Sequence, residues 1–166
     1  REPGGMTAFY DALGVYLDGA FDQNGRKVLL MYSDGYDTRS RMPFSETIDL
    51  LRASDVTVYA IGFQGNIPAS ARQRERMKLG QLAEITGGRV FFPTEVDALE
   101  GIYEKISREL DTRYALGYTS TNTETDGTWR RVEVKVKPTR SGLGAVRTRS
   151  RPGYYARYQD PKSDNR

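Results

Sequence analysis

Thr7 and Asp34 are oxygen donors placed where a divalent cation bound only by oxygen would need them. Thr7 lies in Gly4-Gly5-Met6-Thr7-Ala8-Phe9-Tyr10-Asp11-Ala12-Leu13, before a helical pattern. Asp34 lies in Lys27-Val28-Leu29-Leu30-Met31-Tyr32-Ser33-Asp34-Gly35-Tyr36-Asp37, just past an apolar run. The chain has no His and no Cys, so a metal here would be a hard one such as magnesium, calcium or manganese, bound by carboxylate, hydroxyl and water. Asp34 would serve directly or through water, with Ser33 and Asp37 supporting from behind. Each residue also has a plainer reading: Asp34-Gly35 as a turn, Asp37 as a cap for the segment that follows, and Thr7 as an N-cap. The pair is more specific than either member, because one helix and one strand between them return both loops to the same sheet edge, where open α/β sheets place ligands.

The same absences bear on catalysis. Without His or Cys, acid–base or nucleophilic chemistry would rest on Asp34, Asp37 or a tyrosine. The chain shows no phosphate-binding glycine loop, no Gly-x-Ser-x-Gly elbow and no convincing pair of carboxylates. No enzymatic activity is expected. The 166 residues, 37% of them apolar, suffice for one domain with a core. The net charge of +3 conceals an asymmetry: residues 130–166 carry eleven Lys/Arg against three Asp/Glu, and residues 1–129 carry fourteen against nineteen. The basic residues Arg130, Arg131, Lys135, Lys137, Arg140, Arg147, Arg149 and Arg151 alternate with apolar ones, which reads as a solvated strand face. No nucleic-acid motif accompanies them, so no nucleic-acid partner is expected. No apolar run approaches the roughly 20 residues of a membrane span. Arg1-Glu2-Pro3-Gly4-Gly5 has neither a signal peptide's apolar core nor an initiator methionine and reads as an internal starting point.

The elements that must position these residues alternate in type. Apolar spacing predicts a helix over 7–21 and a buried strand over 28–32. A helix follows with the stripe Phe44, Ile48 and Leu51, with Ser45 read as its cap. A second buried strand covers 56–62 and a helix covers 79–86, stopped by Gly87-Gly88. A short strand over 89–92 is followed by a helix to about Leu110 with the stripe Val96, Leu99, Tyr103, Ile106 and Leu110, and Thr94 with Asp97 resembles a capping box. Such alternation predicts an α/β fold, a doubly wound, mainly parallel sheet with helices on both faces. After residue 112 the pattern changes to hairpins: Tyr114 to Tyr118, a turn at Asp126-Gly127, Trp129 to Val136, and an edge strand over Ala145 to Ser150. The expected division is an α/β part over 1–112, a small β extension over 113–156 packed on or continuing the sheet, and a flexible tail over 157–166.

The Thr7 segment, followed by Leu30-Met31-Tyr32-Ser33-Asp34-Gly35, resembles the second and third metal-site motifs of von Willebrand factor type A domains. Val58 to Phe63, Leu82 to Phe92, Tyr114 to Tyr118, Val136-Lys137 and Arg151-Pro152-Gly153-Tyr154-Tyr155 are similar to a bacterial branch of that family known largely from acidobacteria. The likeness covers roughly residues 3–156. It implies a protein-binding, adhesion-type module in which Thr7 and Asp34 hold Mg2+ and a partner's acidic group completes the shell. It also implies an extracellular or cell-envelope setting. The family's first motif, Asp-x-Ser-x-Ser, is absent, so the resemblance implies a domain lacking its first strands, no metal held by this chain alone, and strand 28–32 left with an exposed edge. Self-association through that edge, or C-terminal strands folded across it, would cover it. A structural or assembly domain whose metal loops serve only as caps is the alternative.

Overall fold

The computed structural model describes residues 7–65, 67–137 and 148–159. Three parallel strands, β1 (Val28–Tyr32), β2 (Thr57–Ile61) and β3 (Arg89–Phe91), lie in that order, with Val28 opposite Thr57 and Tyr59 opposite Arg89. Helix α1 (Phe9–Phe21) precedes β1, and α2 (Phe44–Ala53), α3 (Ala69–Glu84) and α4 (Ala98–Asp111) follow the three strands in turn. Strand alternation sends Met31, Val58 and Ala60 into a core with Leu13 and Leu17 of α1, Ile48 and Leu51 of α2, and Leu79 and Leu82 of α3. Tyr59 and Ile61 point the other way, against Ile102 and Ile106 of α4.

β1 is less covered than expected. It pairs on one side only among the described residues, and Leu30 and Tyr32 are 42% and 59% exposed. Val28 packs into the α4 cluster, but α4 does not extend over the two residues beyond it on that face.

Three helix starts differ from expectation. α3 begins at Ala69 rather than near Leu79, because its first half is a run of charged residues whose few inward positions, Ala71 and Glu75, give a weak apolar stripe. α2 starts at Phe44 behind Pro43, with Ser45 inside the helix. α4 starts at Ala98, and no side chain caps it, so Thr94 and Asp97 form no capping box. The inward positions of α4 are Ile102 and Ile106, with Leu99 and Leu110 packed beside them. Val96 precedes the helix, and it and Tyr103 are exposed.

The stop at Gly87-Gly88 holds. Gly87 has φ +74°, and Gly88 N–H donates to Ala83 O at 2.9 Å. The turn then docks on β2. A Cβ at Gly88 would lie 1.9 Å from Val58 O, and the buried Thr86 hydroxyl accepts from Val58 N–H at 2.9 Å.

Past α4 the hairpins are shorter than expected. β4 (Trp129–Arg131) and β5 (Gly153–Tyr155) form a separate antiparallel two-stranded sheet, and Tyr114 to Tyr118 forms no strand. β5 packs near α2, so this element does not cover the β1 edge. Tyr158 bridges to Asp126 and Gln159 N–H donates to Thr125 O, which carries order beyond the expected start of the tail. Residues 148–150 of the expected edge strand over 145–150 form no strand; the rest of that stretch and residues 160–166 of the tail lie outside the described residues.

Arg131, Lys135 and Lys137 are exposed, as a solvated face requires, but Arg151 is partly buried and helps attach the β element. The Arg151 guanidinium donates to Leu51 O at 3.1 Å and Val56 O at 3.2 Å. Arg149 and Arg89 both meet Glu109, at 2.5 and 2.9 Å. Arg52 lies over the Trp129 ring at 5.4 Å. Burial opposes the Arg151 charge, while the Asp55 carboxylate supports it, and the net effect pulls its pKa below the ordinary guanidinium value. Arg151→Met should strand two carbonyls without their donor and cost about 1.5–3 kcal/mol, read as a lower urea midpoint. An unchanged midpoint would show that the Arg151 contacts do not hold the element.

A carboxylate-stitched candidate site at the sheet edge

β1 runs into Ser33, whose N–H still reaches across to Ile61 O at 3.1 Å. The chain then turns sharply. Ser33 Oγ accepts from Gly35 N–H at 3.1 Å and Asp34 Oδ1 accepts from Tyr36 N–H at 3.0 Å. Gly35 has φ +81°, and a Cβ there would meet Leu79 Cγ at 2.8 Å. Glycine is needed at this position both for the left-handed backbone and for the close approach to α3.

The loop after β1 and the segment before α1 meet as the chain order suggested. Thr7 N–H donates to Thr38 Oγ1 at 3.0 Å, and Thr7 O accepts from Thr38 N–H at 3.0 Å and Arg39 N–H at 3.1 Å. Thr7 and Asp34 therefore stand on two loops joined at one edge of the sheet.

Thr7 is not the helix cap. The N-cap position of α1 belongs to Ala8, which has no capping side chain. The acceptor comes from 28 residues away: Asp37 Oδ2 takes Phe9 N–H at 2.7 Å and Tyr10 N–H at 3.1 Å. The Ser40 hydroxyl donates to the same oxygen at 2.5 Å, and Oδ1 takes the N–H groups of Arg39 and Ser40 at 3.2 and 3.0 Å. Asp37 thus caps the preceding helix as well as turning its own loop, and its charge faces the positive end of the α1 dipole. Asp11 returns the contact from the first turn of α1, accepting from Arg41 N–H at 3.0 Å and Met42 N–H at 2.9 Å.

Behind this seam lies a cluster that local sequence reading missed. Glu75 is buried inside α3, with Arg74 Nε at 2.8 Å and Lys78 Nζ at 3.4 Å. Lys78 also lies 5.7 Å from the ring centres of both Tyr10 and Phe44. Burial raises the Tyr10 phenol pKa. Burial also opposes the Lys78 charge, but Tyr10 and Glu75 more than offset it and the ammonium pKa rises. The one available signal was a lone acid within Arg74-Glu75-Arg76-Met77-Lys78 on a helix face that also carries Ala71 and Leu79.

The donor set can be compared with the needs of a hard cation. Asp37 is fully engaged by five donors, and Asp34 and Ser33 each hold an amide of their own turn. No group of three or more acidic side chains suited to a metal exists among the described residues. A cation that wants six or more oxygens does not find a complete shell in these residues.

Compared with known protein families, residues 2–105 match the von Willebrand factor type A domain. The chain belongs to that family. No curated protein matches it. Von Willebrand factor type A domains commonly serve protein–protein interaction and adhesion, and in this one the loops carrying Thr7 and Asp34 are brought together at the carboxyl edge of the parallel strands. No helix among the described residues is long and apolar enough to cross a membrane.

Asp37 gives this von Willebrand factor type A domain a specific acid sensitivity. Burial alone would raise its pKa, but the Ser40 hydroxyl and amide and the amides of Tyr10 and Phe9 outweigh burial and hold it below the ordinary value of 3.8. A depressed carboxylate pKa stabilises the fold fully above the unfolded value, and that contribution is lost as pH falls through the folded one. Asp37→Ala is expected to cost about 1–2 kcal/mol at neutral pH, with the gap to the wild type closing in urea melts as pH drops below 3.8. A gap that persists unchanged in acid would rule out the charged cap.

Proposed function

We propose that this von Willebrand factor type A domain is a protein-binding module of the adhesion type, with no catalytic role. Its site is the carboxyl edge where the Thr7 and Asp34 loops meet, and the ligand is a protein that presents an acidic group. The joining of those two loops, in a chain of this family, is the observation that carries the reading. Mg2+ belongs to the complete site, where Thr7 and Asp34 contribute oxygens and further donors come from outside these residues. The three described strands would form part of a larger, doubly wound sheet of the acidobacterial branch. The resemblance supports an extracellular or cell-envelope setting.

The test adds the absent donors in trans. Mg2+ with the chain alone should move Tm by less than about 1 °C, since a ligand stabilises only in proportion to its occupancy. A synthetic peptide carrying an apolar strand followed by Asp-x-Ser-x-Ser should bind along β1 and make Tm respond to Mg2+, and Thr7→Val or Asp34→Ala should abolish that response. A bound peptide that leaves the complex indifferent to Mg2+ would contradict the metal site. A large Mg2+ response of the chain alone would contradict the incomplete shell.

One observation favours a second reading, in which the domain is an assembly element. The carboxylates of Asp34 and Asp37 already close turns and cap a helix, and β1 presents Leu30 and Tyr32 at an edge with no charge or proline to block pairing. Sedimentation velocity should then show a concentration-dependent dimer that Leu30→Lys suppresses. A monomer at every concentration would remove this reading.

A further inference from the structure

A second cluster at the same edge of the sheet is built from residues that neither the metal loops nor the Asp37 seam uses. It lies beyond the ends of β2 and β3. Gly62 N–H donates to Phe91 O at 2.8 Å, and a Cβ at Gly62 would lie 2.7 Å from the Phe92 ring. The missing side chain lets Phe92 lie flat on the backbone as a fixed platform. The Arg76 guanidinium stacks on that ring at 3.9 Å from its centre and donates to Gln64 Oε1 at 3.5 Å. One turn earlier on α3, Arg72 Nε donates to Ile67 O at 3.3 Å.

The partners of these two arginines orient them without neutralising them. Arg72 is held by a carbonyl, and Arg76 by a ring face and an amide. The only acid in this stretch, Glu75, is taken by Arg74 and Lys78. Neither Arg72 nor Arg76 makes an ion pair among the described residues, and both are exposed. Holding a guanidinium in place in advance reduces the ordering cost of each bond it later forms.

We propose that Arg72 and Arg76 form a metal-independent clamp for an extended acidic peptide segment of a protein partner. Positions four apart on a helix are separated by about 6 Å along its axis, close to the roughly 6.7 Å between alternate residues of an extended strand. Two carboxylates in a Glu-x-Glu arrangement would therefore meet two guanidinium forks, the charge-assisted geometry arginine favours. A single-stranded nucleic acid fits less well. It needs an open aromatic face for base stacking, and Arg76 already covers that of Phe92. The inference rests on the protein-binding reading given above but requires no cation.

The test is fluorescence anisotropy of the full chain in EDTA with a labelled Glu-Ser-Glu-Ser-Glu-Ser peptide, beside its Gln-for-Glu counterpart. The acidic peptide should bind at least tenfold more tightly, weaken as sodium chloride rises, and shift the Gln64 side-chain amide resonance. Arg72→Gln with Arg76→Gln should remove the preference while leaving Tm near that of the wild type, and the double Lys variant should restore it in part. Equal binding of the two peptides, or an acidic preference that survives the double Gln variant, would overturn the clamp. Tighter binding of an oligothymidylate than of the acidic peptide would overturn the assignment to a protein segment. Binding that requires Mg2+ and ignores the Arg substitutions would overturn the clamp while leaving the protein-binding reading intact.

Discussion

The carboxylate of Asp37 fastens the loop after β1 to the start of α1, 28 residues earlier in the chain. A helix start leaves backbone N–H groups without partners, and α1 has no side chain of its own at the N-cap to take one. The acceptor is supplied by the loop after β1, so the first helix is completed only when the first strand is in place. Asp11 makes the reverse connection, from helix to loop. Two charged groups thus fasten the loop to the helix in opposite directions. The positions of Thr7, Ser33 and Asp34 at this edge follow from that seam.

The seam also separates support from recognition. Asp37, Asp11 and the amides they hold are saturated, and Glu75 is enclosed by Arg74 and Lys78. The Thr7 and Asp34 loop pair and the two oriented guanidinium groups on α3 lie toward solvent at the same edge. On the reading proposed above, these guanidinium groups would receive an acidic partner. At the opposite end of the unit, Arg151 and Arg149 use their charge to attach the small β element to α2 and α4, while Arg131, Lys135 and Lys137 stay exposed.

The alternation of strand and helix was legible because it depends on local apolar spacing: β1, β2, β3 and the glycine stop at Gly87 all lie where that spacing puts them. The meeting of the Thr7 and Asp34 loops was legible too, since it follows from chain order. The identity of the cap was not, because the window around Thr7 contains a good capping residue and gives no sign of an acceptor 28 residues on. The start of α3 was hidden for a related reason. Its first half is stabilised by a buried ion cluster and a short Ala71 contact, and neither leaves an apolar stripe. In α4 the expected stripe placed Val96 and Tyr103 inward, whereas the helix begins two residues after Val96 and rotates Ile102 onto the sheet. The C-terminal hairpins misled because alternation at Val132, Val134 and Val136 reports a strand-like pattern without reporting a partner to pair with.

Amide hydrogen exchange at Phe9 and Tyr10 tests most directly whether the carboxylates at this edge belong to the fold. If Asp37 holds both N–H groups, they should exchange slowly for first-turn amides, lose that protection in Asp37→Ala, and keep it when Mg2+ is added to the wild type. Exchange at the rate of an open helix end, or protection that collapses on adding Mg2+ because the carboxylate turns toward the ion, would contradict the account.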